Sequence, residues 1–367
     1  SPRSEALGEA LCVLFDIAGP TQQKKILAQT PLTSFGISCI YPQIANMPPY
    51  HNNAVWPFVQ SYWALAAAKT GNEKALLQSM AAIYRPAAMF LTNKENFVAD
   101  NGDYKGTQIN SSNMLWSLSG SIGLVHKAMF GIQFGINGLH FKPMVPKALT
   151  GKRTLSHFSY RSCILDIEME GHGNKILSFF LDGKVQPQYM IPSSLSGNHQ
   201  VKIILTNENP GGDINEVINH TTLPTVSATI ENNKLSWQAI DGAIAYEVVR
   251  NGKKFKKTTQ TSIPLTDTSF SLYQVIAIDK SQYESFASEP VVYRGNAVNI
   301  VEIEEQLKAA AYSYKGFSGK GFVEISRSIN STVNLQVDIK TSGVYAIDFR
   351  YANGNGPSNT ENKCAIR

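Results

Sequence analysis

The chain has 367 residues, 43% of them hydrophobic and 17% charged, with 33 Lys and Arg against 28 Asp and Glu for a net charge of +5. This composition excludes a disordered or low-complexity chain, and the length predicts two or three folded domains. The basic residues are scattered, which argues against a nucleic-acid partner and for a neutral one, and no run of 18 apolar residues offers a membrane-spanning helix.

Residues 1–132 read as helical. Ser4 precedes Leu7, Leu11, Leu14 and Phe15 at helical spacing, with Glu5 and Glu9 early. Pro20 starts a short amphipathic helix to about Gln29. A long loop, 30–52, leads into a helix predicted over 53–70. Its Trp56, Phe58, Tyr62 and Trp63 cannot share one face, so it is buried nearly all round. Gly71 stops it, and Asn72 caps a helix over 73–90. A second long loop, 91–109, precedes a helix predicted over 110–131, with Asn110 or Ser111 as its cap. Loops longer than about 12 residues are usually functional. The alternation of short turns and long loops predicts helical hairpins with loops 30–52 and 91–109 at the same end.

Beyond Gly131 the pattern alternates. Segments 139–143, 156–160, 163–169, 176–181 and 201–205 read as strands, with Asp182-Gly183 as a hairpin turn, and predict a β-sandwich over 133–206. Residues 207–223, with Pro210-Gly211-Gly212, read as a linker. Residues 224–295 hold short strands around Trp237, Tyr246 and Tyr273 and the hairpin signal Asn251-Gly252. This spacing resembles a fibronectin type III domain, in which such aromatics are structural. Residues 296–367, from Asn299 through Val301-Glu302-Ile303-Glu304 and Gly316–Gly321 to the run 343–354, resemble the first half of a galactose-binding carbohydrate-binding jelly roll. That resemblance implies a structural calcium near Glu302 and Glu304. About 70 residues are too few for eight strands, so an incomplete jelly roll is expected.

The stretch Tyr50-His51-Asn52-Asn53-Ala54-Val55-Trp56-Pro57-Phe58 crowds amide, imidazole and aromatic groups at a helix mouth, as a sugar-binding rim requires. Together with Arg3-Ser4-Glu5-Ala6-Leu7-Gly8, Pro42-Gln43 and segment 110–120, it resembles the last hairpins of six-hairpin glycosidases, the (α/α)6 toroids of bacterial polysaccharide-degrading enzymes. The sandwich is similar to the domain that often follows the toroid. The expected fold is therefore multidomain, α then β: partial (α/α)6 toroid helices, β-sandwich, fibronectin III-like sandwich and partial jelly roll.

The resemblance implies hydrolysis of a glycosidic bond by two carboxyls, with inversion when they stand roughly 6.5–9.5 Å apart. It puts the general acid outside this chain and the base in loop 91–109. Asp100 is the first candidate, Asp103 the second and Glu95 the third, although related families carry a Glu where Val98 or Ala99 stands here. Tyr50, His51, Asn52, Asn53 and Trp56 are the candidate substrate-binding residues, with Arg3 and Glu5 on the same face. Each has an ordinary alternative. Gly102-Asp103 is a turn signature, Glu5 favours a helix dipole, and Asn52 or Asn53 is the expected helix cap. His51 can be structural, Trp56 can pack between hairpins, and Trp63 and Trp116 read as core.

No cofactor is expected for catalysis, since no metal-ligand spacing, phosphate loop, nucleophile elbow or dinucleotide fingerprint occurs. Cys12, Cys39, Cys163 and Cys364 are far apart and read as buried free thiols. Asn219-His220-Thr221 fits a glycosylation acceptor. The opening Ser1-Pro2-Arg3-Ser4 reads as the middle of a longer polypeptide, whose remainder is an expected partner. The leading expectation is a glycoside hydrolase of the bacterial periplasm, cell surface or exterior. Its piece here would be inactive alone and expose an apolar wall. A non-catalytic carbohydrate-binding scaffold and a glycoside phosphorylase are the alternatives.

Overall fold

The computed structural model describes residues 3–105, 107, 109–266, 270–293, 295, 300–307, 310, 317, 319–326, 328–345 and 347–352, and the chain divides into two units, 1–296 and 297–367. Six α-helices form in the first unit: α1 (Ala6–Leu14), α2 (Pro20–Gln29), α3 (Pro49–Asn52), α4 (Pro57–Thr70), α5 (Glu73–Phe90) and α6 (Leu115–Gly123). A π-helical turn, Leu124–Met129, continues α6. Helix α4 is the pivot. Its Trp63, Ala64, Ala66 and Ala67 are fully buried, and α1, α2, α5 and α6 all pack on it. Alanines at these positions let neighbouring backbones approach closely. Gly71, at φ +75°, closes the helix in the left-handed conformation that favours glycine.

Two helix starts differ from expectation, for one reason. The amide of Asn52 takes both backbone groups of Ile44, at 2.7 and 2.8 Å, so neither Asn52 nor Asn53 caps α4. Pro57 starts the helix instead, where its missing N–H costs nothing. Likewise Asn110 accepts from the Asn96 N–H and Ser111 is tied to Glu95, so α6 begins only after Met114. In both cases the asparagine side chain serves the loop rather than the helix.

After Gly131 the chain builds a sandwich. One sheet runs in the order Lys184–Val185, Ile176–Leu181, Gly197–Leu205, Cys163–Glu170, Lys152–Tyr160, and the other Met190–Pro192, Gly138–Phe141, Ile132–Phe134. Cys163, Leu165, Ile167 and Met169 point into its core, as their alternation dictates. On its surface Asp182 accepts from the Gln200 N–H and from His199 Nδ1 at 2.7 Å, while His199 Nε2 faces the Ser196 carbonyl. The Gln200 bond, then His199, hold the Asp182 carboxyl below its ordinary 3.8, and Asp182 raises His199 above its ordinary 6.5. A lowered acid stabilises the fold above its unfolded pKa, and a raised base stabilises it below its own. The pair therefore contributes most between about pH 4 and 6.5. Urea unfolding of Asp182→Asn should show a deficit of up to about 1 kcal/mol near pH 5.5, shrinking at pH 8. A deficit constant across that range would refute the pairing.

Residues 224–295 form a second, seven-stranded sandwich. Ala228–Glu231, Lys234–Trp237 and Ser262–Pro264 make one sheet, and Lys253–Thr258, Ala243–Arg250, Ser271–Asp279 and Val291–Tyr293 the other. Trp237, Tyr246 and Tyr273 lie in its core. The edge strand Lys253–Thr258 carries four lysines, which discourage edge-to-edge pairing. Segment 207–223 does more than connect. Asn215–Glu216 adds in parallel to Pro31–Leu32, and Gln43 exchanges backbone bonds with His220 and Thr222.

The (α/α)6 toroid is overturned. Among the described residues there are 21 strands against six α-helices, so the chain is mainly β, and its helices gather around α4 instead of alternating between inner and outer positions of a ring. Helix α4 is packed by four other helices and keeps only a narrow open stripe through Tyr62 and Lys69. The described residues of 297–367 contain a single 3-10 turn, Ile303–Glu305, and no strand. Around Gly343, Val344, Ile347, Phe349 and Tyr351 are exposed. Asn299, Gly316, Ala346, Asn353, Gly354 and Cys364 lie outside the described residues. Among the described residues no helix is long and apolar enough to cross a membrane. Cys12, Cys39 and Cys163 are free thiols, and burial pushes Cys39 up to about 12.

Candidate functional site

The two long loops meet through a short antiparallel pairing, Ala54–Val55 with Phe97–Val98, followed by a bond from the Ala99 N–H to the Asn53 carbonyl. This brings Asp100 onto Asn53. The Asn53 amide donates to Asp100 Oδ2 at 2.7 Å, and the Asn219 amide donates to Oδ1 at 2.6 Å. Asn219 also donates to Asn53 Oδ1 at 3.0 Å, while its own oxygen accepts from Gln43 Nε2 at 2.8 Å. Two primary amides thus grip separate oxygens of an exposed carboxylate, which charge-assisted bonds of this kind hold firmly.

Asn219 and Gln43 were not among the candidate site residues. The Asn219-His220-Thr221 motif suggested a glycosylation acceptor, whereas its amide nitrogen is occupied by Asp100 and Asn53. No local pattern points to a contact made across 119 residues.

The residues flanking Asn53 in the chain also build an aromatic stack. Trp56 is buried, and its indole N–H donates to the Tyr50 carbonyl at 3.0 Å. The exposed His51 ring stacks on Trp56 at 4.8 Å and 19°. Trp116 meets Trp56 edge-on and stacks on Phe58 at 4.9 Å and 10°, leaving 41% of itself exposed. Trp56 is therefore the pillar, and His51 and Trp116 are the surfaces open to a ligand. The core reading of Trp116 fails. Tyr62, Leu115, Leu118 and Ile122 extend the exposed apolar face along α4 and α6.

The other carboxyls are engaged. Glu95 is buried, accepting from the Tyr50 hydroxyl at 2.9 Å and from the Ser111 N–H at 3.2 Å. Burial and then Glu95 raise the Tyr50 phenol above its ordinary value. Asp103 accepts from the Lys105 N–H at 2.9 Å in a turn that Gly102, at φ +70°, allows. Asp100 differs from the exposed Asp103 in having each of its oxygens held by a side-chain amide.

Arg3 and Glu5 make their contacts elsewhere. Arg3 donates to Thr222 Oγ1 at 2.7 Å and lies over the Phe286 ring at 4.0 Å, and burial lowers its guanidinium from the ordinary value. It fastens the seven-stranded sandwich to the helices. Glu5 caps α1, accepting from the Leu7 and Gly8 N–H groups. In the second unit Glu304 accepts from the Lys320 and Gly321 N–H groups, and Glu302 lies against Gly319. Among the described residues no three His, Cys, Asp or Glu side chains converge as metal ligands.

No family model matches the sequence, and no curated protein does. Solved structures overlap it only in part. The spore cortex lytic enzyme SleM of Clostridium perfringens matches at TM-score 0.15 and 21% identity over 19% of this chain and 26% of its own. A family 28 exopolygalacturonase of Yersinia enterocolitica matches at TM-score 0.16 and 14% identity over 24% and 22%. The central fibronectin-III array of RIM-binding protein matches at TM-score 0.18 and 10% identity over 47% and 79%. The chain thus spans about a quarter of the two enzymes. Overlaps this small assign nothing by themselves, and the site's own geometry has to carry the reading.

Proposed function

We propose that this chain is carbohydrate-active and that the face formed by Asp100, His51 and Trp116 binds a neutral glycan. The supporting observations are the exposed Asp100 carboxylate, held by Asn53 and Asn219, and the exposed rings of His51 and Trp116, which pack on Trp56 three residues along the chain from Asn53. A carboxylate with lone pairs to spare accepts from sugar hydroxyls, and an indole face packs against the apolar face of a pyranose. Oxygens fixed in advance lose little entropy on binding.

Glycoside hydrolysis is the second reading. Its favouring observation is that Asp100 is placed as a base needs to be, fixed and open to water. Against it, the usual chemistry employs two carboxyls, and Glu95 is taken up by Tyr50 and Ser111 while Asp103 is held by the Lys105 N–H in its own turn.

Affinity electrophoresis of the full chain against xylan, mannan, galactan and soluble glucans, with polygalacturonate as the acidic control, tests the binding. At least one neutral polymer should retard it. Asp100→Ala and Trp116→Ala should each weaken that interaction about tenfold. Retardation by no neutral polymer, or unchanged binding in both variants, would sink the proposal. Reducing-end release from the retarding polymer, abolished by Asp100→Ala, would decide for hydrolysis.

A further inference from the structure

Asn219, which grips Asp100, is followed at once by His220, which grips a different domain. His220 Nε2 stands 2.7 Å from Asp279 Oδ2, and since a carboxylate only accepts, that nitrogen carries the proton. The imidazole also stacks on Tyr283 at 4.2 Å and 26°. Asp279 is well braced, its other oxygen accepting from the Ser281 and Tyr283 N–H groups at the end of strand Ser271–Asp279. Tyr283 reaches back to the helices through its hydroxyl, 2.8 Å from that of Tyr41, which in turn meets the Ile218 carbonyl at 3.2 Å. Gln43 holds the Asn219 oxygen, and the other side-chain anchors around Asn219 lead either to Asp100 and its partner Asn53 or to the seven-stranded sandwich.

We infer that His220 and Asp279 are positioning residues for Asp100: the seven-stranded sandwich, through this pair, holds Asn219 in register on the carboxylate. The segment has no regular secondary structure at 217–220 to fix it otherwise. Its backbone is tied by the Gln43 N–H to the His220 carbonyl and by the Thr222 N–H to the Gln43 carbonyl. Those bonds set its height but leave the rotation of Asn219 to side chains. A spacer domain would need no buried carboxylate aimed into the linker; here that carboxylate is 6% exposed.

The functional consequence rests on the glycan-binding reading, but the coupling is measured without it. The side-chain amide protons of Asn219, assigned by their loss in Asn219→Ala, report the grip directly in 1H–15N spectra of the full chain. His220→Phe keeps the ring stack and removes the bond to Asp279. It should move the Asn219 amide pair toward solvent-like shifts and speed its exchange at least about fivefold. Affinity for whichever neutral oligosaccharide the wild type binds should fall by about the same factor.

His220→Gln, whose amide can donate to Asp279, should restore both readouts. Asp279→Ala, which probes the pair from the sandwich side, should repeat the His220→Phe pattern. Adding His220→Phe to Asn219→Ala should change affinity no further. Unmoved Asn219 amides in His220→Phe and Asp279→Ala would overturn the inference. Moved amides with unchanged glycan affinity would uphold the positioning and refute the glycan reading.

Discussion

Gly131→Ala should destabilise the full chain by at least about 3 kcal/mol, enough to leave it largely unfolded if its stability is ordinary. Gly131 sits where the helical part ends and the first sandwich begins, at φ +64°. A methyl group there would lie 2.0 Å from the Lys142 carbonyl carbon, 2.2 Å from its oxygen and 2.2 Å from Pro143 N. All three are backbone atoms, so no rotamer change relieves the contact. The strand cannot retreat either, because the Lys142 N–H donates to the Gly131 carbonyl at 2.8 Å and the flanking Phe130 and Ile132 are both buried. The left-handed conformation adds its own penalty for any side chain. Gly123→Ala is the control: its methyl meets nothing within 4 Å and its φ is −58°, so it should be neutral or slightly stabilising. Urea midpoints followed by far-ultraviolet circular dichroism check both. A Gly131→Ala midpoint equal to that of Gly123→Ala would mean the junction is laxer than its geometry states.

What could be read from sequence and what could not divide along the range of the interactions. The Asn72 cap, the Gly71 stop, the alternation from Cys163 and the two hairpin turns at Asp182-Gly183 and Asn251-Gly252 are decided within a few residues, and each forms as expected. Asn52, Asn110 and Ser111 look like caps by the same local logic, yet each finds a loop partner that offers it more. The site divides in the same way. Asp100 and His51 are legible as an acidic loop and an aromatic mouth, but Asn219 and Gln43 enter only when distant chain segments meet. The toroid went wrong because helical periodicity counts helices without saying whether they surround a lumen or one another. The packing of α1, α2, α5 and α6 on α4 decides that question, and an apolar helix in either arrangement has a similar sequence.

Trp63→Ala should cost about 3–5 kcal/mol, the range for emptying a fully buried indole site. Trp63 has no exposed surface and lies among the alanines of α4 with Leu27, Leu76 and Ile83 in the same core. Small neighbours cannot collapse into the space it leaves, which places the cost toward the upper part of that range. Its indole N–H, however, is buried without a hydrogen-bond partner among the described residues. An orphaned donor is a standing penalty that phenylalanine removes. Trp63→Phe should therefore cost only about 1–2 kcal/mol, the lost volume being partly offset. Trp56 makes the opposite case on the same helix mouth. Its N–H donates to the Tyr50 carbonyl at 3.0 Å, and without it that oxygen keeps only a long 3.4 Å contact from Thr107 Oγ1. Trp56→Phe should accordingly cost more than Trp63→Phe, although Trp63 is the more deeply buried of the two. It should also loosen His51, which stacks on the larger ring. Urea unfolding of the three variants gives the order directly. If Trp63→Phe proved costlier than Trp56→Phe, hydrogen bonding would not be what separates these two tryptophans, and packing volume alone would have to explain them.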